Sequence, residues 1–298
     1  MENTQLTTKK PAIKWPWLRV LLYMLAGLII MGIGQVIAAA IVSAILGIPV
    51  YDIGKTLGGA GQSGIKLIVE LSGLIFVLGI TWIFRRYIDN KSFVSMGYSI
   101  KGRLKDCIYG ILTGFVLISI GFLILYFAGY LKVTNILFNA EIVVGSFFFF
   151  LVAAMIEEVM FRGYILNNLM EYGNKYVALL ISSVLFALIH GLNPNLSIIA
   201  MVNLAIAGVV LGITYIYTKN IWYPVFLHVS WNYFQGPIYG FEVSGTEAKS
   251  IIMQEVSGNE LITGGSFGFE GSIILTVLMI VMIIVADLIM RKRYSLQG

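Results

Sequence analysis

Apolar residues in this chain run in long continuous blocks, and short polar stretches punctuate them. A helix that crosses a bilayer needs about 20 mostly apolar residues. Eight stretches are candidates, at approximately 18–48, 65–84, 107–128, 142–162, 176–190, 197–217, 221–240 and 272–290. The first is long enough to tilt or to extend past the bilayer. Lys9, Lys10, Lys14 and Arg19 precede or open it. Its apolar run far exceeds the roughly 7–15 residues at the centre of a cleavable signal. It therefore reads as an uncleaved first span, although Ala38-Ala39-Ala40 mimics a cleavage site. Residues 241–271 form the longest polar connector. It is acidic and glycine-rich, and is expected to be extracytoplasmic and poorly ordered or loosely packed. No internal repeat or soluble domain stands out, so residues 1–298 are expected to form a single transmembrane domain.

Composition agrees. Hydrophobic residues make up 58% of the 298 and charged residues 12%, where soluble domains carry about 25% charged. The mean hydropathy is +0.89. The expected class is an all-α membrane protein, a polytopic bundle of about eight transmembrane helices. The net charge of +5 does not indicate nucleic acid, because the basic residues sit at the ends of apolar runs. Lys9, Lys10, Lys14, Arg19, Arg85, Arg86, Lys91, Lys101, Arg103, Lys105, Lys175, Lys219, Arg291, Lys292 and Arg293 fall on one side of an eight-span arrangement. Lys55, Lys66, Lys132 and Lys249 fall on the other. Lys and Arg favour the cytoplasmic side, so both termini are expected there, in a multi-pass protein of the cell membrane. Cys107 is the one cysteine; it excludes an internal disulfide and reads as a small core residue.

The informative residues are the polar ones inside the apolar runs. An ionisable group within a span costs roughly 2.5–3.5 kcal/mol on insertion scales, so each needs a reason. Glu157 and Glu158 are adjacent in the fourth stretch, and Arg162 follows. Glu158 and Arg162 stand at i, i+4, on one helix face, where they can neutralise each other. Glu157 points about 100° away and is free to face a cavity. His190 and His228 are the only two histidines, and both lie in apolar runs. Phe186 precedes His190 by four residues, and Asn232 follows His228 by four.

Length brings two of these together. A helix through Tyr172, a turn at Gly173-Asn174 and an antiparallel return place His190 at the height of Glu157, at about 1.5 Å per residue. Gly191 then suits a helix end. Pro224 and Pro237 bound the seventh stretch, leaving a helix of about 20 Å, short for a bilayer core of about 30 Å. Short helices are tolerated where protein or a wet cavity surrounds them. Each feature alone has a plainer reading. Glu158–Arg162 could be a structural pair, either histidine an interhelical hydrogen bond, and Asn232 interhelical glue. Glu70 and Asp287 read as a polar contact and an interfacial residue. What favours a site is convergence, since every histidine joins an acidic pair on neighbouring stretches. Glu157, His190, His228 and Asn232 are expected to meet in one conical cavity opening to the cytoplasmic leaflet.

Glu157-Glu158-Val159-Met160-Phe161-Arg162 matches EExxxR, Phe186 to His190 matches FxxxH, and His228 to Asn232 matches HxxxN. In this order, in successive apolar segments, they resemble the CPBP family of intramembrane proteases, which includes CAAX prenyl endopeptidases and bacteriocin-processing or abortive-infection proteins. The resemblance covers about 150–240, the expected catalytic core. It implies an intramembrane endopeptidase acting on a membrane-associated peptide or protein. Glu157 would be the base that activates water, with His190 assisting. His228 and Asn232 would stabilise the oxyanion, and Glu158 and Arg162 would be a supporting pair. Peptide hydrolysis needs such a water and such donors, and needs no serine or cysteine nucleophile. A divalent metal such as zinc on Glu157, His190 and His228 stays open, since one Glu and two His can bind it, although HExxH is absent. A non-catalytic immunity or sensor-regulating protein of the same fold is the alternative. A proton-relaying transporter is a third reading, disfavoured by the lack of internal repeats.

Overall fold

The computed structural model describes residues 10–47, 49, 63–171 and 173–295. Lys9, Lys55 and Tyr172, which enter the charge and hairpin arguments above, lie outside these residues. Among the described residues, eight main helices follow in order: α1 (Pro16–Leu46), α2 (Ser63–Ile83), α3 (Leu104–Phe127), α4 (Ala140–Glu158), α5 (Lys175–Ile189), α6 (Ile198–Ile213), α7 (Trp222–Tyr233) and α8 (Ile273–Ser295). Among the described residues, seven helices are long and apolar enough to cross a membrane. The one falling short is α7, the stretch whose prolines forecast a short helix. Pro224 sits in its first turn, but Pro237 does not stop the chain abruptly, because a π-helical turn over Phe234–Ile238 continues past it.

Side-chain caps fix where the helices of the site begin. Asn139 accepts from the amides of Glu141 and Ile142 at the start of α4, Asn174 from Tyr176 at the start of α5, and Ser197 from Ala200 at the start of α6. Each satisfies an amide that has no partner within the helix. Helix α4 does not stop at Glu158. It widens into a π-helical stretch, Val159–Leu166, and resumes as α-helix over Asn167–Met170. Helix α7 packs chiefly on α3 and α4, α5 on α6, and α1 on α2. The α3–α7 contact is close because α3 carries glycine there. A Cβ on Gly110 would lie 2.7 Å from the Tyr223 carbonyl oxygen, and one on Gly114 would lie 2.8 Å from Ser230 Cβ.

Outside the bundle, β1 (Leu131–Ile136) pairs antiparallel with β2 (Ile252–Val256), with an irregularity between Val133 and Asn135. The expectation of a loosely packed 241–270 connector is therefore corrected. Its aromatic residues hold it down: Phe241, Phe267 and Phe269 are buried, and the Phe241 and Phe269 rings stack at 5.5 Å.

A buried ionic group ties α1, the π-helical turn after α2 (Phe84–Ile88) and the continuation of α4 together. Asp89 accepts from Arg19 at 2.8 Å, Arg85 at 3.0 Å, Asn168 at 3.2 Å and the Tyr164 hydroxyl at 3.3 Å. Asp89, Arg19 and Arg85 are almost wholly buried. Charges removed from water are tolerated only when paired and hydrogen-bonded. Asp89→Ala should therefore cost about 3–5 kcal/mol. The expected outcome is a clearly lowered thermal midpoint for the detergent-purified protein; an unchanged midpoint would show that the group contributes nothing to stability.

Candidate active site

Helix α4 presents its two glutamates to different surroundings, as their 100° separation requires. Glu158 is fully buried. Its Oε1 accepts from Arg162 Nη1 at 2.8 Å and from His228 Nδ1 at 3.0 Å. Arg162 also donates through Nη2 to the Gly208 carbonyl on α6 at 3.0 Å, and its guanidinium lies 4.8 Å from the Phe186 ring centre. The pair thus joins α4 to α5, α6 and α7. Helices α5 and α6 come close enough for this because a Cβ on Gly208 would stand 2.7 Å from Ser183 Cα.

Glu157 faces a small cavity instead. Its Oε2 lies 3.8 Å from His190 Nε2 and 3.8 Å from His228 Nε2. That oxygen is buried and has no direct hydrogen-bond partner. Both imidazoles are oriented through their other nitrogen. His190 Nδ1 donates to the Phe186 carbonyl at 2.7 Å, and His228 Nδ1 to Glu158. A peptide carbonyl can only accept, and Glu158 is paired with Arg162, which assigns the Nδ1 hydrogen in both rings and turns both Nε2 atoms toward Glu157. Glu157 and His190 do come together, His190 following the last residue of α5, but the chain between them passes through the π-helical stretch rather than a uniform α-helix, and Tyr172 lies outside the described residues.

The cavity holds about 40 Å³, room for a few waters but not for a peptide. Glu157, His190, His228 and Asn232 line it, with apolar walls from Phe186, Leu204 and Leu211. Asn232 is half-buried there. Of the six residues singled out by sequence, four line the cavity, while Glu158 and Arg162 stand behind His228. Three further lining residues that carry polar groups are not singled out by the sequence. Trp231 lies inside the third motif, whereas Ser244 and Glu270 come from the connector. Glu270 Oε2 accepts from the Ser244 amide at 2.6 Å and its hydroxyl at 3.0 Å, and Oε1 from Trp231 Nε1 at 3.2 Å. Burial pushes the Glu270 carboxyl above the usual carboxylate range, against the opposing pull of the Ser244 donors. The signal available in sequence is an acid set among glycine and phenylalanine, Phe267 to Gly271, directly before an apolar run.

The donor types of Glu157, His190 and His228 suit zinc, but their spacing does not. Two ligands about 2.0–2.2 Å from a tetrahedral zinc stand about 3.3–3.6 Å apart, closer than the 3.8 Å found twice here. No group of three or more His, Cys, Asp or Glu among the described residues is arranged to hold a metal ion. The other intramembrane acids have partners. Glu70 accepts from Gln35 at 3.4 Å, and Asp287 accepts from Tyr217 at 2.6 Å. Cys107 is buried, as a core residue would be.

Fold and site together define a multi-pass helical membrane protein with a polar, titratable centre enclosed among its helices. Residues 139–234 match the family model described as Rce1-like, type II CAAX prenyl endopeptidase. The chain is also 32% identical over 117 residues to "Putative membrane peptidase YdiL" of Bacillus subtilis (strain 168), covering 39% of this chain and 44% of that protein. It thus spans less than half the length of the curated relative it matches. No solved structure matches it. The segment similar to the Rce1-like family, residues 139–234, holds all three motifs.

Removing Arg162 would leave the buried Glu158 carboxylate without its cation, a loss of about 3–5 kcal/mol for a buried pair. Arg162→Ala should therefore lower the amount of folded protein in the membrane. Replacing Glu158 by Gln together with Arg162 by Met should recover that amount, as quantitative immunoblots of membranes would record. Wild-type levels of Arg162→Ala would place Arg162 outside the supporting pair.

Proposed function

We propose that this protein is an intramembrane endopeptidase that hydrolyses a peptide bond of a membrane-associated peptide or protein. The observation that carries the reading is the Glu157 carboxylate facing two imidazole Nε2 atoms, each at 3.8 Å, in a cavity of water-sized volume. That separation is too long for a direct hydrogen bond and fits one water bridging at about 2.8 Å. Glu157 takes the proton of this water as it attacks the scissile carbonyl, and His190 Nε2 accepts the water's second hydrogen and orients it. His228 and Asn232 stabilise the oxyanion that forms, and its collapse breaks the C–N bond as Glu157 returns the proton to the leaving amine. With Nδ1–H committed to Glu158, His228 can donate through Nε2 only as an imidazolium, for which Glu158 and Glu157 are the counter-charges. The Glu158–Arg162 pair then acts through His228 by holding its ring.

Both termini are placed in the cytoplasm by the Lys and Arg asymmetry. In that orientation the connector carrying Ser244 and Glu270 lies on the extracytoplasmic side of the cavity, which leaves the cytoplasmic leaflet as the side of entry. Reporter fusions reading a C-terminus outside the cytoplasm would contradict this.

Catalysis is tested by comparing peptides released from membranes with and without the protein. Glu157→Gln, His190→Ala and His228→Ala should each reduce release by orders of magnitude at unchanged membrane levels. Asn232→Ala, which removes one oxyanion donor, should cost about 10²–10³ in rate. Release unaffected by Glu157→Gln would overturn the reading in favour of a non-catalytic membrane protein of the same fold.

A further inference from the structure

The reaction proposed above uses α7 twice, through His228 and Asn232, and Trp231 sits between them on the same helix. Trp231 is buried, and its indole Nε1–H is directed at two acceptors, Gln235 Oε1 at 3.0 Å and Glu270 Oε1 at 3.2 Å. Gln235 lies on α7's own continuation and cannot fix the helix against anything by this bond alone. Glu270 can, because it is held independently of α7. Its backbone carbonyl accepts from Asn203 on α6 at 2.7 Å, and its other carboxylate oxygen is held by the Ser244 amide and hydroxyl. Asn203 is itself fixed, donating to the Ser272 carbonyl at 2.9 Å and accepting from Thr276 at 2.6 Å.

We propose that Glu270 is a positioning residue, which sets the rotation of α7 through Trp231 and so aims His228 and Asn232 into the cavity. This rests on the endopeptidase reading for its consequence in catalysis, though not for the wiring itself. The alternative for a carboxylate in this cavity is contact with substrate. The occupancy of its oxygens argues against that, since both already accept from protein donors. Glu270 also lies beyond the segment 139–234 that matches the family model. The family core is thus completed, in this chain, by a residue of the connector.

The distinction between positioning and charge is made by Glu270→Gln. A carboxamide oxygen still accepts from Trp231, while its amino group gives up the Ser244 amide bond and can only donate to the Ser244 hydroxyl, so Glu270→Gln should keep clearly more function than Glu270→Ala. Misplacement of a catalytic group by about 1 Å costs about 100-fold, and a drop in kcat of about 10- to 100-fold with KM within about twofold is expected for Glu270→Ala. The full chain in vesicles would be tested on a set of quenched fluorescent peptides anchored by a C-terminal alkyl chain, with Glu157→Ala as the inactive control. Trp231→Phe should reproduce the defect, and the Glu270→Ala/Trp231→Phe double variant should be no worse than either single change. Equal deficiency of Glu270→Gln and Glu270→Ala, additive losses, or no loss in Glu270→Ala would each overturn the proposal. If Glu270→Ala fails to reach the membrane, the pair Glu270→Gln and Trp231→Phe decides. Activity kept in the first and lost in the second supports positioning, and any other combination refutes it.

A second arm does not depend on proteolysis. The chain has two histidines, so imidazole ¹⁵N resonances of the purified protein are assignable with one variant. Loss of the Glu270 side chain should move both the Trp231 indole N–H and the His228 ring resonances, and Glu270→Gln should leave the His228 signals in place. A Trp231 shift without a His228 shift would show that the contact exists but does not aim α7, and would overturn the proposal. If the wild type cleaves no peptide, the endopeptidase reading fails, while the resonance shifts still decide whether Glu270 positions α7.

Discussion

A carboxylate withdrawn from water has to be compensated by charge and donors, and the architecture around Glu158 Oε1 follows from that requirement. Arg162 supplies the compensating charge from the same helix, and His228 supplies a second donor from α7. Arg162 is itself buried and needs further acceptors, which brings in the Gly208 carbonyl of α6 and the face of Phe186 on α5. Four helices are therefore held in register by one charge. The glycines at 110, 114 and 208 are the steric counterpart, because the distances these contacts demand leave no room for a Cβ.

The same logic recurs at Asp89, where Arg19, Arg85, Asn168 and Tyr164 converge from α1, the π-helical turn after α2 and the continuation of α4. Helix α4 and its continuation belong to both groups, through Glu158 and Arg162 in one and through Tyr164 and Asn168 in the other. The π-helical stretch over Val159–Leu166 lies at the junction. An inserted π turn changes which residues share a face, and here it separates a face that serves the cavity from one that serves the Asp89 group. Membrane proteins lack a hydrophobic drive between helices, so buried polar groups of this kind take over the task of fixing relative positions.

What can be read from the sequence is whatever depends on near neighbours along the chain. The i, i+4 pairing of Glu158 with Arg162 and the divergent direction of Glu157 are arithmetic on a helix, and the structure shows both, whereas the π-helical stretch between Glu157 and His190 is not legible from helical rise. The shortness of helix α7 follows from its two prolines. Partners distant in sequence are not legible. Asp89 looks like one more loop charge, and Arg19 and Arg85 bear only on topology, because nothing local shows that three such groups share one buried site. Glu270 is hidden by its setting. Glycine-rich, acidic connectors usually lack the apolar surface to fold down, but this one inserts Phe241, Phe267 and Phe269, and the phenylalanines bring the glutamate in with them.

The two imidazoles are wired alike and yet not equivalently. Each gives its Nδ1–H to an acceptor behind it and turns Nε2 toward Glu157. Behind His190 that acceptor is a peptide carbonyl, which orients the ring and offers no counter-charge. Behind His228 it is a carboxylate shared with a guanidinium. A proton added to His228 therefore completes an alternating row of charges, Glu157, His228, Glu158 and Arg162, whereas a proton added to His190 has a carboxylate only on its cavity side. Under the proposed chemistry this asymmetry divides the labour. The ring backed by a neutral carbonyl accepts from the attacking water, and the ring backed by a charge can carry the positive form that an oxyanion requires. In a cavity of about 40 Å³, little water competes with or screens these interactions, so the identity of the atom behind each Nδ1 decides what the Nε2 in front can do.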